Sequence, residues 1–136
     1  MKYLGVDFGF KKIGLALGDD GARVAVPFSV IFGGLKELLE VIKEEQIEAL
    51  VIGLAVPEAH QSQTQLERTL AFAEKLRAES GLQVHVVDEQ FTSTEARRVQ
   101  KETGTKADED ALAAMLILQA YFDEGSMGVE QFSVKP

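Results

Sequence analysis

The sequence contains no cysteine and only two histidines, His60 and His85. The lack of cysteine excludes a disulfide framework, a thiolate nucleophile and a thiolate metal site. His85 lies inside an apolar strand-like run, where a hydrogen-bonded structural role is expected. No apolar run approaches the roughly 20 residues needed to cross a bilayer. The opening "MKYLGVDFG" lacks the basic-then-apolar form of a signal peptide and meets an aspartate at residue 7. These absences predict a soluble, cytoplasmic protein with no membrane partner. G-x-S-x-G, H-E-x-x-H and the phosphate-binding P-loop are missing as well.

An excess of positive charge is also missing. Twenty-two acidic residues face 14 basic ones, a net charge of -8, whereas phosphate binding draws on Lys and Arg. The charge is unevenly spread. Residues 34–48 carry five Glu and two Lys, while residues 91–107 carry Arg97, Arg98, Lys101 and Lys106 against Glu95 and Glu102. An acidic back with a modestly basic front is one reading; solvated helix faces are the other.

What the 136 residues do contain, 46% hydrophobic and 26% charged, suits one domain with one core and leaves no room for a second of similar size. "KYLGVD" and "KIGLALGD" read as a hairpin of two strands. "ARVAVPFSVIF" is a third strand, with Pro27 marking an edge or a bulge because proline cannot donate to the ladder. Leu35, Leu38, Leu39 and Ile42 recur at helical spacing, predicting a helix over 35–46. "ALVIGLAV" reads as a strand covered on both faces. Leu66, Leu70, Ala73 and Leu76 mark a second helix that ends near Gly81. "LQVHVVDE" is a fifth strand. A short helix over about 93–102 and a longer one over about 108–123 follow, then a weakly structured tail over 125–136. This order predicts an α/β domain of ribonuclease H-like type: a mixed five-stranded sheet, antiparallel at its start and parallel afterwards, with helices on both faces.

Three places bring carboxylates to strand or helix ends. Asp7 ends an apolar strand, where open α/β sheets place their sites. Gly9 allows a turn that leaves backbone amides facing an anion, and Lys11 and Lys12 can meet phosphate as point charges. An ordinary hairpin turn accounts for the same residues. Asp88 and Glu89 directly follow the fifth strand, and their charges there require solvent, a partner or a metal. Thr92 and Glu95 fit a capping box that starts a helix. In the last helix Asp110, Ala113, Ala114, Ile117 and Tyr121 share one stripe, which carries Asp110 inward. Asp108 and Glu109 need no role beyond favouring the helix dipole. Carboxylates from three segments meeting at one sheet edge suit Mg²⁺ or Mn²⁺ rather than zinc. Two such ions about 4 Å apart clamp the attacking water and the leaving oxygen of a phosphodiester.

The stretches "GVDFGFKKIGLALGD", "ALVIGL", "VVDEQFTSTEA" and "DALAAMLILQAYFD" occur in the order and near the spacing of the YqgF/RuvX family, which the chain resembles over residues 1–124. The resemblance implies a ribonuclease H-like fold and a metal-dependent nuclease that hydrolyses phosphodiester bonds of structured nucleic acid in maturing the 5′ end of pre-16S ribosomal RNA. It implies Asp7, Glu89 (with Asp88 adjoining) and Asp110 as the catalytic, metal-holding positions. Lys11, Lys12, Thr92, Ser93, Arg97 and Arg98 are the candidate substrate contacts. The partners implied are precursor rRNA, branched DNA and ribosomal precursor particles, with the chain acting as a monomer or homodimer. The sequence departs from the family pattern at Gln90, where the family usually has arginine, at Phe10 and Lys12 in place of Thr and Arg, and in the loop "GLAVPEAHQSQ".

Two further functional classes share these features. One is a non-catalytic RNA- or protein-binding module that keeps the fold without turnover, suggested by Gln90, Phe10 and the negative charge. The other is a fragment of an actin-like ATPase, whose opening hairpin is similar. A Holliday junction resolvase-like DNA nuclease is the alternative within the nuclease reading. The kinase-like "DFG" at residues 7–9 lacks the catalytic loop and the Gly-rich loop of a kinase.

Overall fold

A computed structural model of the chain describes residues 1–9, 11–54, 64–88 and 109–125. The described strands are β1 (Lys2–Phe8), β2 (Lys12–Asp19), β3 (Val24–Phe32), β4 (Ala49–Leu54) and β5 (Gln83–Asp88). The described helices are α1 (Leu35–Glu44), α2 (Thr64–Ser80) and α3 (Glu109–Glu124). The strands form one mixed sheet in the order β3-β2-β1-β4-β5. β1–β2 and β2–β3 are antiparallel, and β1–β4 and β4–β5 are parallel. The predicted five-stranded mixed sheet is therefore observed.

Each strand sits where its sequence pattern requires. All six residues of β4 are buried, as a central strand covered on both faces must be. β3 lies at the sheet edge, and its register against β2 shifts where Leu15 pairs with Ser29 and Ala16 with Pro27. Phe28 is the extra residue of this bulge, so Pro27 marks both an edge and a bulge. Helix α1 stops two residues earlier than its periodicity suggested, because Gln46 takes a left-handed φ of 55°. α2 ends at Gly81, whose N–H donates to the Arg77 carbonyl.

The sheet separates two apolar layers. On one face Leu4, Val6, Ile13, Leu15, Leu50 and Ile52 pack with Leu38 and Ile42 of α1 and Ala73 and Leu76 of α2. On the other face Tyr3, Ala16, Ala25, Ala49, Val51 and Val87 pack with Ala114, Ile117, Leu118 and Phe122 of α3. Helices on both faces satisfy the doubly covered sheet that the apolar runs demand.

α3 approaches its face unusually closely. A Cβ on Gly5 would stand 2.7 Å from the Ala114 carbonyl oxygen, and one on Gly18 would stand 2.7 Å from the Phe122 ring. A Cβ on Gly14 would overlap the Asp110 carbonyl. Side chains at these positions would hold the helix away from the sheet, so small residues set its height. The helix residues that stand over these glycines are Asp110, Ala114, Leu118 and Phe122. Ala114 and Ile117 of the expected stripe pack on the sheet, with Tyr121 against the same layer, while Ala113 is only half-buried. The far end of α3 is tied down by polar contacts. The Arg23 guanidinium donates to the Phe122 carbonyl, and Gln119 both accepts from the Ala25 N–H and donates to the Arg23 carbonyl, each at 3.0 Å.

Candidate active site

Alternation along β1 decides where Asp7 points. Leu4 and Val6 face α1 and α2, while Tyr3 and Gly5 face α3. Asp7 follows Gly5 at strand period and lies on the α3 face. Its antiparallel partner on β2 is Gly14, the residue over which the Asp110 carbonyl sits. The close approach of α3 thus delivers the first turn of the helix, with Asp110, onto the strand pair that carries Asp7. Two carboxylates 103 positions apart in the chain come together because Gly14 has no side chain.

Asp7, Phe8, Gly9, Lys11, Lys12 and Asp110 line one cleft of about 350 Å³. Lys12 bridges it: its Nζ stands 2.8 Å from Asp110 Oδ2, with the lysine half-exposed and the aspartate largely covered. Hydrogen bonding to the Asp110 carboxylate, with the attraction of its charge, raises the Lys12 pKa above its ordinary value. Lys12 therefore carries its proton throughout the neutral range. Phe8 points to the opposite face and stacks on Phe72 of α2 at a centroid distance of 4.2 Å, fixing the end of β1 from below.

The expected site residues fall into three groups. Asp7, Lys11, Lys12 and Asp110 meet in the cleft. Asp88 ends β5 and pairs with Leu54 of the other layer, while the preceding Val87 belongs to the α3 layer. Asp88 therefore lies on the face away from Asp7. Glu89, Thr92, Ser93, Arg97 and Arg98 lie outside the described residues, as do Phe10, Gln90, Glu95, the helix expected over 93–102 and the tail beyond Gly125. Among the described residues no third acidic or imidazole group joins Asp7 and Asp110 to complete a metal-binding cluster. The described donors nevertheless suit a hard divalent cation. They are carboxylate oxygens, and the ammonium on Asp110 shows that this carboxylate is placed to hold positive charge.

His85 has the structural position expected of it: its ring packs against Tyr121 and Tyr3 at centroid distances of 4.7 and 6.2 Å, and its Nε2 has no hydrogen-bond partner among the described residues. Burial lowers its pKa. A larger groove of about 570 Å³ runs along α1, lined by Leu35, Lys36, Leu39, Glu40, Lys43 and Glu79. It is remote from the carboxylate pair and offers no comparable chemistry.

Glu45 and Glu48 engage Lys2, at the end of β1 opposite Asp7, and the basic stretch 91–107 lies outside the described residues. The role of Gly14 was missed from sequence, although a signal exists: Gly14, Ala16 and Gly18 alternate on one face of β2.

The sequence profile of the family described as "RuvX: Holliday junction resolvase" matches residues 1–124. A Bordetella petrii protein provisionally named pre-16S rRNA nuclease is 39% identical over 125 residues, covering 88% of this chain and 93% of that one. An Anaeromyxobacter protein of the same provisional name is 35% identical, covering 90% and 97%. Among solved structures, Thermus thermophilus RuvC in complex with a Holliday junction substrate superposes with a TM-score of 0.62 at 18% identity, covering 92% of this chain and 95% of that one. That likeness shows the fold.

Proposed function

The chain belongs to the RuvX family, and from that premise we propose that it is a metal-dependent nuclease acting on structured nucleic acid in 5′-end maturation of pre-16S rRNA. The observation that carries the reading is the meeting of Asp7 and Asp110 in one cleft with Lys11 and Lys12 at its rim. Asp7 and Asp110 would hold Mg²⁺ or Mn²⁺. Glu89 completes the set in preference to Asp88, whose side of β5 faces away. When bound there, a divalent ion polarises the phosphate and makes water a nucleophile at neutral pH.

The remaining tasks belong to the chain itself. Lys12, paired with Asp110, sits where a phosphate oxygen needs a counter-charge, and Lys11 adds a second cation beside it. Thr92, Ser93, Arg97 and Arg98 extend the contact along the substrate backbone. Phosphate contacts of this kind set register and carry no sequence information. Substrate choice therefore rests on the shape of the nucleic acid, which is how structured RNA is recognised. Precursor rRNA within ribosomal precursor particles, in the cytoplasm, is the partner this reading calls for. Among the described residues no helix is long and apolar enough to cross a membrane.

The test is hydrolysis of a precursor rRNA fragment and of a four-way DNA junction with Mg²⁺ or Mn²⁺. Asp7→Asn lowers the rate at least about 100-fold on the preferred substrate. A rate unchanged in that variant refutes the site. The family's description favours one second reading, cleavage of branched DNA; preferential cutting of the junction over the RNA would select it.

A further inference from the structure

Phe32 is the most exposed of the large apolar side chains among the described residues, at 74%. Isolated exposed apolar residues are common and need no explanation. The neighbours of Phe32 set it apart. It is the cross-strand partner of Lys12, the residue whose ammonium meets Asp110 in the candidate active site.

Strand parity puts both on the same side of the sheet. Ile13 and Leu15 belong to the layer under α1 and α2, and Ile31, paired with Ile13, packs against that layer. Lys12 and Phe32 are the next pair along and lie on the α3 face with Asp7 and Gly14. Directly opposed residues of an antiparallel pair bring their Cβ atoms to about 5 Å. From Asp7 to Phe32 the path is two strand spacings sideways and two residues along, about 12 Å between Cα atoms. The ring stands one step beyond the cleft, on the side away from β4.

The ring is also held and uncovered. Ladder pairing with β2 fixes the Phe32 backbone. Gly33 turns the chain away behind it with a φ of +126°, packed on Glu37, and a Cβ at Gly34 would meet nothing within 4 Å. The other exposed apolar residues of β3, Val24, Val26 and Phe28, lie further from the Lys12 pair along the strand.

We infer that Phe32 is a nucleobase platform: an unpaired base next to the phosphate that Lys12 contacts stacks on its ring. An exposed aromatic beside a cationic phosphate contact is the combination by which single strands are bound without sequence preference. An unpaired base can be splayed onto such a ring, whereas a base within a duplex is already stacked. The inference rests on the nuclease reading and sharpens it. The preferred substrate carries an unpaired nucleotide next to the scissile phosphate, as at a single-strand–duplex boundary.

The test is fluorescence anisotropy with a short labelled polyuridine strand and with an RNA duplex of the same length, in chelator to prevent hydrolysis. Phe32→Ala weakens single-strand binding roughly 5- to 150-fold and leaves duplex binding unchanged, and Phe32→Trp retains wild-type affinity. Unchanged single-strand binding by Phe32→Ala overturns the platform and leaves the nuclease reading standing. Equal losses on strand and duplex also overturn it. If the wild-type chain binds neither RNA and cleaves neither substrate above, the nuclease reading itself fails.

Discussion

Lys12 Nζ stands 2.8 Å from Asp110 Oδ2, so a cation from the second strand occupies a carboxylate of the last described helix. On the proposed function the pair would have two consequences. Lys12 would compete with a divalent ion for Asp110, and once displaced it would stand beside a bound phosphate.

Replacing Lys12 by methionine separates these effects. In Lys12→Met, Mn²⁺ binds severalfold more tightly, because Asp110 loses its internal counter-charge. Substrate binding weakens, because a phosphate contact is gone. Asp110→Asn weakens Mn²⁺ binding. The melting temperature of Lys12→Met changes little, since an exposed ion pair contributes little to stability. Mn²⁺ titration by electron paramagnetic resonance, paired with RNA binding, checks both directions; Mn²⁺ affinity unchanged in Lys12→Met would show that the ammonium is no competitor.

Gly14 controls the height of α3. In Gly14→Ala the new methyl meets the Asp110 carbonyl, which is backbone and cannot swing aside. Overpacking of this kind costs about 1–3 kcal/mol, and a backbone clash belongs at the upper end. The variant melts several degrees lower and loses metal affinity, because Asp110 is lifted from Asp7. Gly34→Ala is the control, since nothing lies within 4 Å of its Cβ position. Equal thermal melts for the two variants would contradict the close approach.

His85 gives the fold an acid-side sensitivity. Burial between Tyr3 and Tyr121 lowers its pKa below the ordinary value of 6.5. Between the folded and unfolded pKa values the unfolded chain binds more protons, so stability rises with pH through that window. Stability from this group is fully present above about pH 6.5 and is lost as the pH falls through the folded value. In His85→Phe the aromatic packing remains and the proton site is gone. Thermal melts between neutral pH and about pH 5 are expected to fall less steeply for the variant than for the wild type. Parallel curves would remove His85 as the cause.

Much of the fold was legible because its signals are local. The buried run of β4, the periodicity of α1 and α2 and the proline of β3 each report a neighbourhood within a few residues. The surroundings of His85 were not legible, because a histidine in a strand gives no sign of what lies across the layer, and here two tyrosine rings pack on it. Ala113 misled for a similar reason. Two small residues side by side on a helix look equivalent until the sheet selects the one that meets Gly5.

By itself the sequence determined the described strands and helices and their order, and it suggested the chemical kind of site. Alternation and helical period are written in the residues, and with no cysteine the candidate donors come down to carboxylate oxygens. Only the tertiary structure decided which carboxylates meet. Asp7 and Asp110 belong to one cleft because glycines at positions 5, 14 and 18 let α3 settle onto β1 and β2. Asp88 is turned away because strand parity, fixed by pairing with β4, faces it toward the other layer. Proximity across 103 residues is a property of packing, and no local pattern encodes it.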